Sequence, residues 1–415
     1  MRMKSHARPV DGPCQDRNRN VNVIAFYWGE GRNTVKTLVL ASCLVIGSVG
    51  VALAQMPPES QQIGHGPPNS VAAPAMALKD LKPTEPEALG LVPKLTVSNS
   101  SGHAIHILPT TAVAAQRAKY GLGVPPAPGG GSPVNNKVNN ESGVLLYHAG
   151  GSVMPYQLVY VIFWAPAHLQ NGGATGFSAK YGTVNYLHPA WVPSDGLLNL
   201  ATQYYQTIGG VTSYVVNAGY FAGYYVDSGA LPASGCSDSY TPNNCITDAQ
   251  IQAEVAHAMT INGWTGGMNK IFILFTSSGE GSCFDSGSSS CAYVQYCAYH
   301  GHFSSGGQTV IYANMPYANA ATCQGTGTEP NQDVGDIVTS ATAHEMIEAA
   351  TDPLLDAWYD ASGNEIGDLC AYNYGANSWT NPANGIKASE FTNGWYWEDQ
   401  MMYSNHTASC VPSGP

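Results

Sequence analysis

Ser340-Ala-Thr-Ala-His344-Glu345-Met-Ile-Glu348-Ala-Ala-Thr-Asp352-Pro353 is the stretch on which the fold turns. Asp333 or Asp336 upstream supplies a capping side chain for a helix, and Asp352-Pro353 ends it. Ile337, Ala341, His344 and Glu348 recur at helical spacing and share one face. That face begins apolar, which directs it at the core. A histidine and a glutamate there need a partner, because an unpaired buried carboxylate is costly. A divalent cation is the most economical one.

His344-Glu345-x-x-Glu348 resembles the H-E-x-x-H helix of the zinc metallopeptidases, the zincins, with Glu in the last position. The resemblance implies that His344 and Glu348 ligate Zn2+ and that Glu345 is the general base on its water. Asn364-Glu365-Ile-Gly-Asp368 is similar to the downstream N-E-x-x-S-D of the thermolysin-like branch, one residue shorter. It implies that Glu365 or Asp368 is the third metal ligand and that the other orients His344. One His with two carboxylates leaves a Zn2+ site neutral, and a neutral site acidifies water less than a cationic one.

The rest of the chain bounds what such a site could serve. It has 415 residues and a formal net charge of −12. Lys36, the apolar run Leu38–Val51 and Ala52-Leu-Ala54 read as a secretory signal ending before Gln55. Residues 1–54 carry 7 basic and 3 acidic residues, so the remainder holds 9 basic and 25 acidic, a net charge of −16. Nucleic acid is therefore excluded as a partner, since it needs a basic face. Eight cysteines follow the signal: Cys236, Cys245, Cys283, Cys291, Cys297, Cys323, Cys370 and Cys410. An even number in an exported chain predicts disulfides. We expect Cys236–Cys245 across a local loop, Cys370–Cys410 tying the end to the helix region, and the other four around a Ser/Gly loop. No C-x2-C pair favours a cysteine zinc site.

Residues 55–142 are rich in Pro, Ala, Gly, Asn and Ser and read as linker or propeptide, with strand material only in Leu91–Ile107. A single folded body is expected over 143–415. Gln157–Trp164 and Lys270–Thr276 are near-continuous apolar runs that suit central strands. Leu197–Ile208 reads as an amphipathic helix, and Tyr214–Val226 as strands with a bulge. Thr247 caps a helix over Asp248–Asn262, and Gln308–Met315 is a strand. Ala357–Cys370 reads as a hairpin around Gly363-Asn364. Its Asp360-x-Ser362-x-Asn364 also imitates a calcium loop, without Gly at the sixth position or Glu at the twelfth. The expected fold is α/β or α+β: a mixed β-sheet with a zincin-like active-site helix, stapled by disulfides.

Tyr147-His148-x-Gly150-Gly151, Val159–Trp164, Cys297-Ala-Tyr-His300, the H-E-x-x-E helix with Asp352-Pro353, Ala357-Trp-Tyr359 and Glu365-Ile-Gly-Asp-Leu-Cys370 together resemble the phosphate-induced protein 1, or EXORDIUM-like, family. That resemblance implies a secreted, cell-wall or extracellular (or periplasmic) protein and brings no established catalytic activity.

His300 and His302 would share a strand face, from which His300 could stabilise an oxyanion; a loop pair bonded to backbone is the plainer reading. His148 is read as a turn residue. Two functions follow. One is a secreted metal-dependent hydrolase, most simply a zinc peptidase, using His344, Glu348 and Glu365 or Asp368 as ligands and Glu345 as base on an extracellular peptide or cell-wall substrate. The other is a non-catalytic module for glycan or protein, with a structural metal, Zn2+ or Ca2+, or a hydrogen-bond cluster. No stable membrane span is expected once the signal is removed.

Overall fold

A mixed seven-stranded sheet carries the molecule. The computed structural model describes Glu87 and residues 92–120, 122, 144–175, 179–191, 196–317, 321–323, 329–333, 335–376 and 378–414. The expected signal over 1–54, and most of the expected 55–142 linker, lie outside the described residues. The sheet strands are β1 (Thr96–Ser98), β2 (Ala104–Pro109), β3 (Gln157–Trp164), β4 (Gly219–Asp227), β5 (Lys270–Phe275), β6 (Tyr296–Ser305) and β7 (Gln308–Met315). Their order is β1-β2-β6-β7-β5-β3-β4. The β3, β4, β5 and β7 contacts are parallel; β1–β2, β2–β6 and β6–β7 are antiparallel. The central strands are apolar and buried, as near-continuous hydrophobic runs require.

Four helices are described: α1 (Thr111–Lys119), α2 (Ala179–Trp191), α3 (Asp248–Asn262) and α4 (Asp336–Thr351). Thr247 caps α3 in a reciprocal capping box with Gln250, as its sequence predicts. α4 packs against β6, β7 and α2. It lies between two apolar clusters, giving Val338, Met346 and Ala349 to the sheet core. Ala343, Ile347 and Ala350 go to a second core with Leu198, Tyr204, Trp358 and Met402. Burial on both flanks is why small and apolar residues run all round this helix rather than along one stripe. Gly335 precedes α4 without a side-chain cap. Asp336 instead accepts N–H groups of Asn331 and Asp333 in the loop before it. At the other end Asp352 Oδ1 accepts from the N–H groups of Asp356 and Ala357, turning the chain back.

Three expectations change. The folded body begins before 143: β1, β2 and α1 belong to it, and Ile105, Ile107 and Leu108 join the main core. Leu197–Ile208 is a 3-10 turn, Leu197–Gln203, followed by a short strand, Tyr205–Ile208, paired with Val211–Tyr214. Ala357–Cys370 is not a hairpin. Trp358–Tyr359 pairs instead with Leu146–Tyr147, and Asp360 folds the following loop by accepting N–H groups of Ser362 and Asn364. Those bonds occupy the carboxylate that a calcium loop would use first. In the first segment an adjacent hairpin strand, and in the second a partner distant in sequence, overrides the local pattern.

The cysteines pair as Cys236–Cys245, Cys283–Cys291, Cys297–Cys323 and Cys370–Cys410. Cys283–Cys291 closes the Ser/Gly loop, whereas Cys297–Cys323 ties β6 to the segment after β7. Cys236, Cys245 and Cys283 lie close enough together to suggest a metal triad. All three are in disulfides and offer no thiolate. Among the described residues no helix is long and apolar enough to cross a membrane.

Candidate metal centre

Three segments far apart in sequence converge beside α4. Strands β2 and β6 pair so that His106 and His300 are direct cross-strand neighbours, with ring centroids 5.7 Å apart. α4 presents His344, Glu345 and Glu348. The loop after Trp358–Tyr359 presents Glu365 and Asp368. All seven are buried, and His300, His344, Glu345 and Glu348 are 0% exposed.

The loop reaches the helix because residue 367 is glycine. A Cβ there would stand 2.5 Å from His344 Nδ1 and 2.9 Å from Glu348 Oε1. The bare backbone instead sends the N–H groups of Gly367 and Asp368 to Glu348 Oε1, each at 3.1 Å. Glu365 N–H donates to Asp368 Oδ2 at 2.8 Å, which bends the loop so that both acids face inward.

His344 Nε2 lies 3.0 Å from Glu348 Oε1 and 3.8 Å from Asp368 Oδ1. The first is a close charge contact without hydrogen-bond direction, and neither His344 nitrogen has a hydrogen-bond partner. His300 Nδ1 is hydrogen-bonded to Glu345 Oε2 at 3.0 Å and lies 3.8 Å from Glu348 Oε2. His106 Nε2 meets Asp368 Oδ2 at 2.7 Å, and its Nδ1 lies 3.2 Å from Glu365 Oε1. Glu345 Oε1, Glu348 Oε2, Glu365 Oε2 and Asp368 Oδ1 are buried without a hydrogen-bond donor. Buried acceptors in native proteins are nearly always paired, so four orphans in one place need a cause.

The electrostatics tell the same story. Burial pushes the Glu345 carboxyl up to about 8, although His344 pulls it down. Burial, with Asp352 and Glu348 nearby, pushes Glu365 well above the carboxylate range, and burial with Asp368 nearby raises Glu348. Burial opposes charge on His344, but Glu348, Glu345 and Asp368 together outweigh it and raise the imidazole to about 10. His300 moves the other way, down to about 4, because burial outweighs Glu348. For Asp368 burial raises the carboxyl, but His106, His344 and the Glu365 N–H together hold it low. Without a cation, protons must neutralise this interior; a divalent ion would displace them.

Each expected residue has a place. His344, Glu348 and Asp368 form one possible ligand triad, and His106, Glu348 and Glu365 a second. His300 is in a buried strand, against the plainer loop reading, and contacts Glu345. His302 shares its strand but lies outside the cluster, half-buried. His148 stacks on Tyr359 at 3.6 Å and binds Ala357 O, away from the centre. His106 was missed. Its signal was the alternation Ile105-His106-Ile107 after the polar turn Asn99–Gly102, overlooked because the flanking composition is that of a linker. The cleft lined by Asn171, Tyr240, Thr241 and Gly279 contains none of these residues.

No protein-family model matches the chain, and neither a curated protein nor a solved structure is detectably similar to it.

Proposed function

We propose that this is a secreted metal-dependent hydrolase whose cation is held by His344, Glu348 and Asp368, with Zn2+ the favoured ion. The observation behind this reading is the set of buried, donorless oxygens at Glu348 Oε2 and Asp368 Oδ1 beside an unbonded His344 Nε2. A nitrogen with two carboxylates suits Zn2+ better than Ca2+, which prefers six or more oxygens. A bound cation would supply Lewis acidity and an acidified water. Glu345, next to His344 on the helix and hydrogen-bonded to His300 at 3.0 Å, would serve as the proton acceptor. Glu365, hydrogen-bonded through its N–H to Asp368, sets the angle of the third ligand. Substrates would be extracellular peptides or cell-wall material, in keeping with the EXORDIUM-like resemblance, the disulfides and the acidic charge.

Glu345→Gln is expected to abolish hydrolysis in a peptidase screen while cation content stays unchanged. Unchanged turnover would refute the base role. The full burial of the centre favours a second reading, a non-catalytic extracellular module with a structural cation. Under it Glu345→Gln leaves function intact, whereas His344→Ala lowers the melting temperature and the cation content together.

A further inference from the structure

We propose that the centre holds two divalent cations that share Glu348, the second of them bound by His106 Nδ1 and Glu365. This rests on the metal-centre reading above and adds a site to it.

The case begins at His106, 1% exposed, whose ring is flanked on both edges by carboxylates. Nε2 lies 2.7 Å from Asp368 Oδ2. A neutral imidazole has one ring proton, and giving it to Asp368 leaves a lone pair on Nδ1. Thr96 Oγ1 is hydrogen-bonded to that nitrogen at 2.9 Å, and Glu365 Oε1 lies 3.2 Å from it. A cation would take Nδ1 and the Glu365 carboxylate as ligands in place of the Thr96 hydroxyl proton. The site also has unused ligand oxygens. Glu365 Oε2 and Glu348 Oε2 are buried without partners. His106, Glu348 and Glu365 place one ligand atom each within 4.8 Å of one another.

The two triads are built as one unit. Asp368 turns Oδ1 toward His344 and Oδ2 toward His106, so it serves the first site and fixes the ring of the second. Glu348 belongs to both triads. A shared carboxylate sets two ions about 3.5–4 Å apart, the spacing of two-metal hydrolytic centres. The third triad, His300 with Glu345 and Glu348, has its Nδ1 engaged by Glu345 and is left to proton transfer.

The test is stoichiometry on the full chain produced in an oxidising compartment, loaded with Zn2+ and desalted. Two Zn2+ per chain are expected. His106→Ala and Glu365→Gln should each halve the ratio, and Glu348→Gln should remove both ions. Loading the wild type with Mn2+ is a second readout: an exchange-coupled pair is expected in the paramagnetic resonance spectrum, against an isolated ion in His106→Ala. One Zn2+ in the wild type with an isolated Mn2+ spectrum, lost in His344→Ala but kept in His106→Ala, overturns the second site and leaves the single-metal reading standing. No bound Zn2+ in the folded wild type overturns both.

Discussion

Asp248 and Glu348 are buried carboxylates that lie near consecutive residues of β6, and they are accommodated in opposite ways. Tyr299 points to one face of the sheet and His300 to the other. On the first face, at the start of α3, Asp248 Oδ1 accepts from the hydroxyls of Tyr299, at 2.8 Å, and Tyr312. Its Oδ2 accepts from Gln252 Nε2 at 2.6 Å and contacts His103 at 2.7 Å. Every lone pair has a neutral or cationic donor, and the helix N-terminus adds its own partial positive charge. On the second face Glu348 shares its surroundings with three more acids, and one of its oxygens has nothing to accept. The difference separates a carboxylate whose oxygens are all hydrogen-bonded from one left with an orphan oxygen, the feature on which the proposed cation site rests. A third case, Glu254, has neither donors nor imidazoles enough. Burial and Asp227 push it up to about 8, so a proton occupies the place of the cation.

The comparison can be broken experimentally. The largest effect should come from Asp248→Ala, which strands two tyrosine hydroxyls in the interior and leaves the half-buried His103 without its carboxylate. About 3–5 kcal/mol of stability should be lost in denaturant melts. That loss should be the same with and without chelator, because the two centres are independent. A chelator-dependent loss would join them into one network. Next, stripping the cation from wild type with EDTA should cost about 3 kcal/mol if the ion is present at about 100 times its dissociation constant. In a scan this is a fall of roughly 5–10 °C, and the Asp248→Ala variant should show the same fall. No shift would mean that the orphan oxygens of Glu348 are paid for by protons alone.

Gly367→Ala sharpens the second half of the comparison. Its methyl would collide with His344 and Glu348, so a loss of about 1–3 kcal/mol from overpacking is expected. Bound cation should fall with it, while α3 and the Asp248 cluster stay intact by hydrogen exchange. The smallest effect concerns Glu254. Its folded carboxyl titrates near 8 against 4.5 unfolded, so the folded state holds the extra proton between these values. Stability is therefore fully present below pH 4.5 and lost as pH rises toward 8. Glu254→Gln should flatten that part of the pH–stability curve by about 1 kcal/mol or more. An unchanged curve would assign the slope to other groups.

Local signals were readable where they were dense. The β3, β5 and β7 runs are apolar enough to be central strands anywhere. Thr247 ahead of Asp248–Asn262 reads as a helix cap by residue type alone. The H-E-x-x-E spacing places His344 and Glu348 one turn apart in any α-helix. The choice between Glu365 and Asp368 was not readable. It depends on Gly367 letting the loop approach α4, and on His106 turning each acid by one oxygen. Leu197–Ile208 misled because helical periodicity survives in a 3-10 turn that runs into a strand.

What the amino-acid order determined by itself is therefore short-range: strands, two helices, disulfide potential, and a histidine and a glutamate on one helical turn. Tertiary structure decided what those two residues meet. β2 joined the sheet beside β6 because Ile105 and Ile107 could bury there, and His106 was carried to the face opposite them. Strand neighbours more than 190 positions apart then became contact pairs. No local pattern records such a meeting, because the energy that fixes it comes from closing the core around all three segments at once.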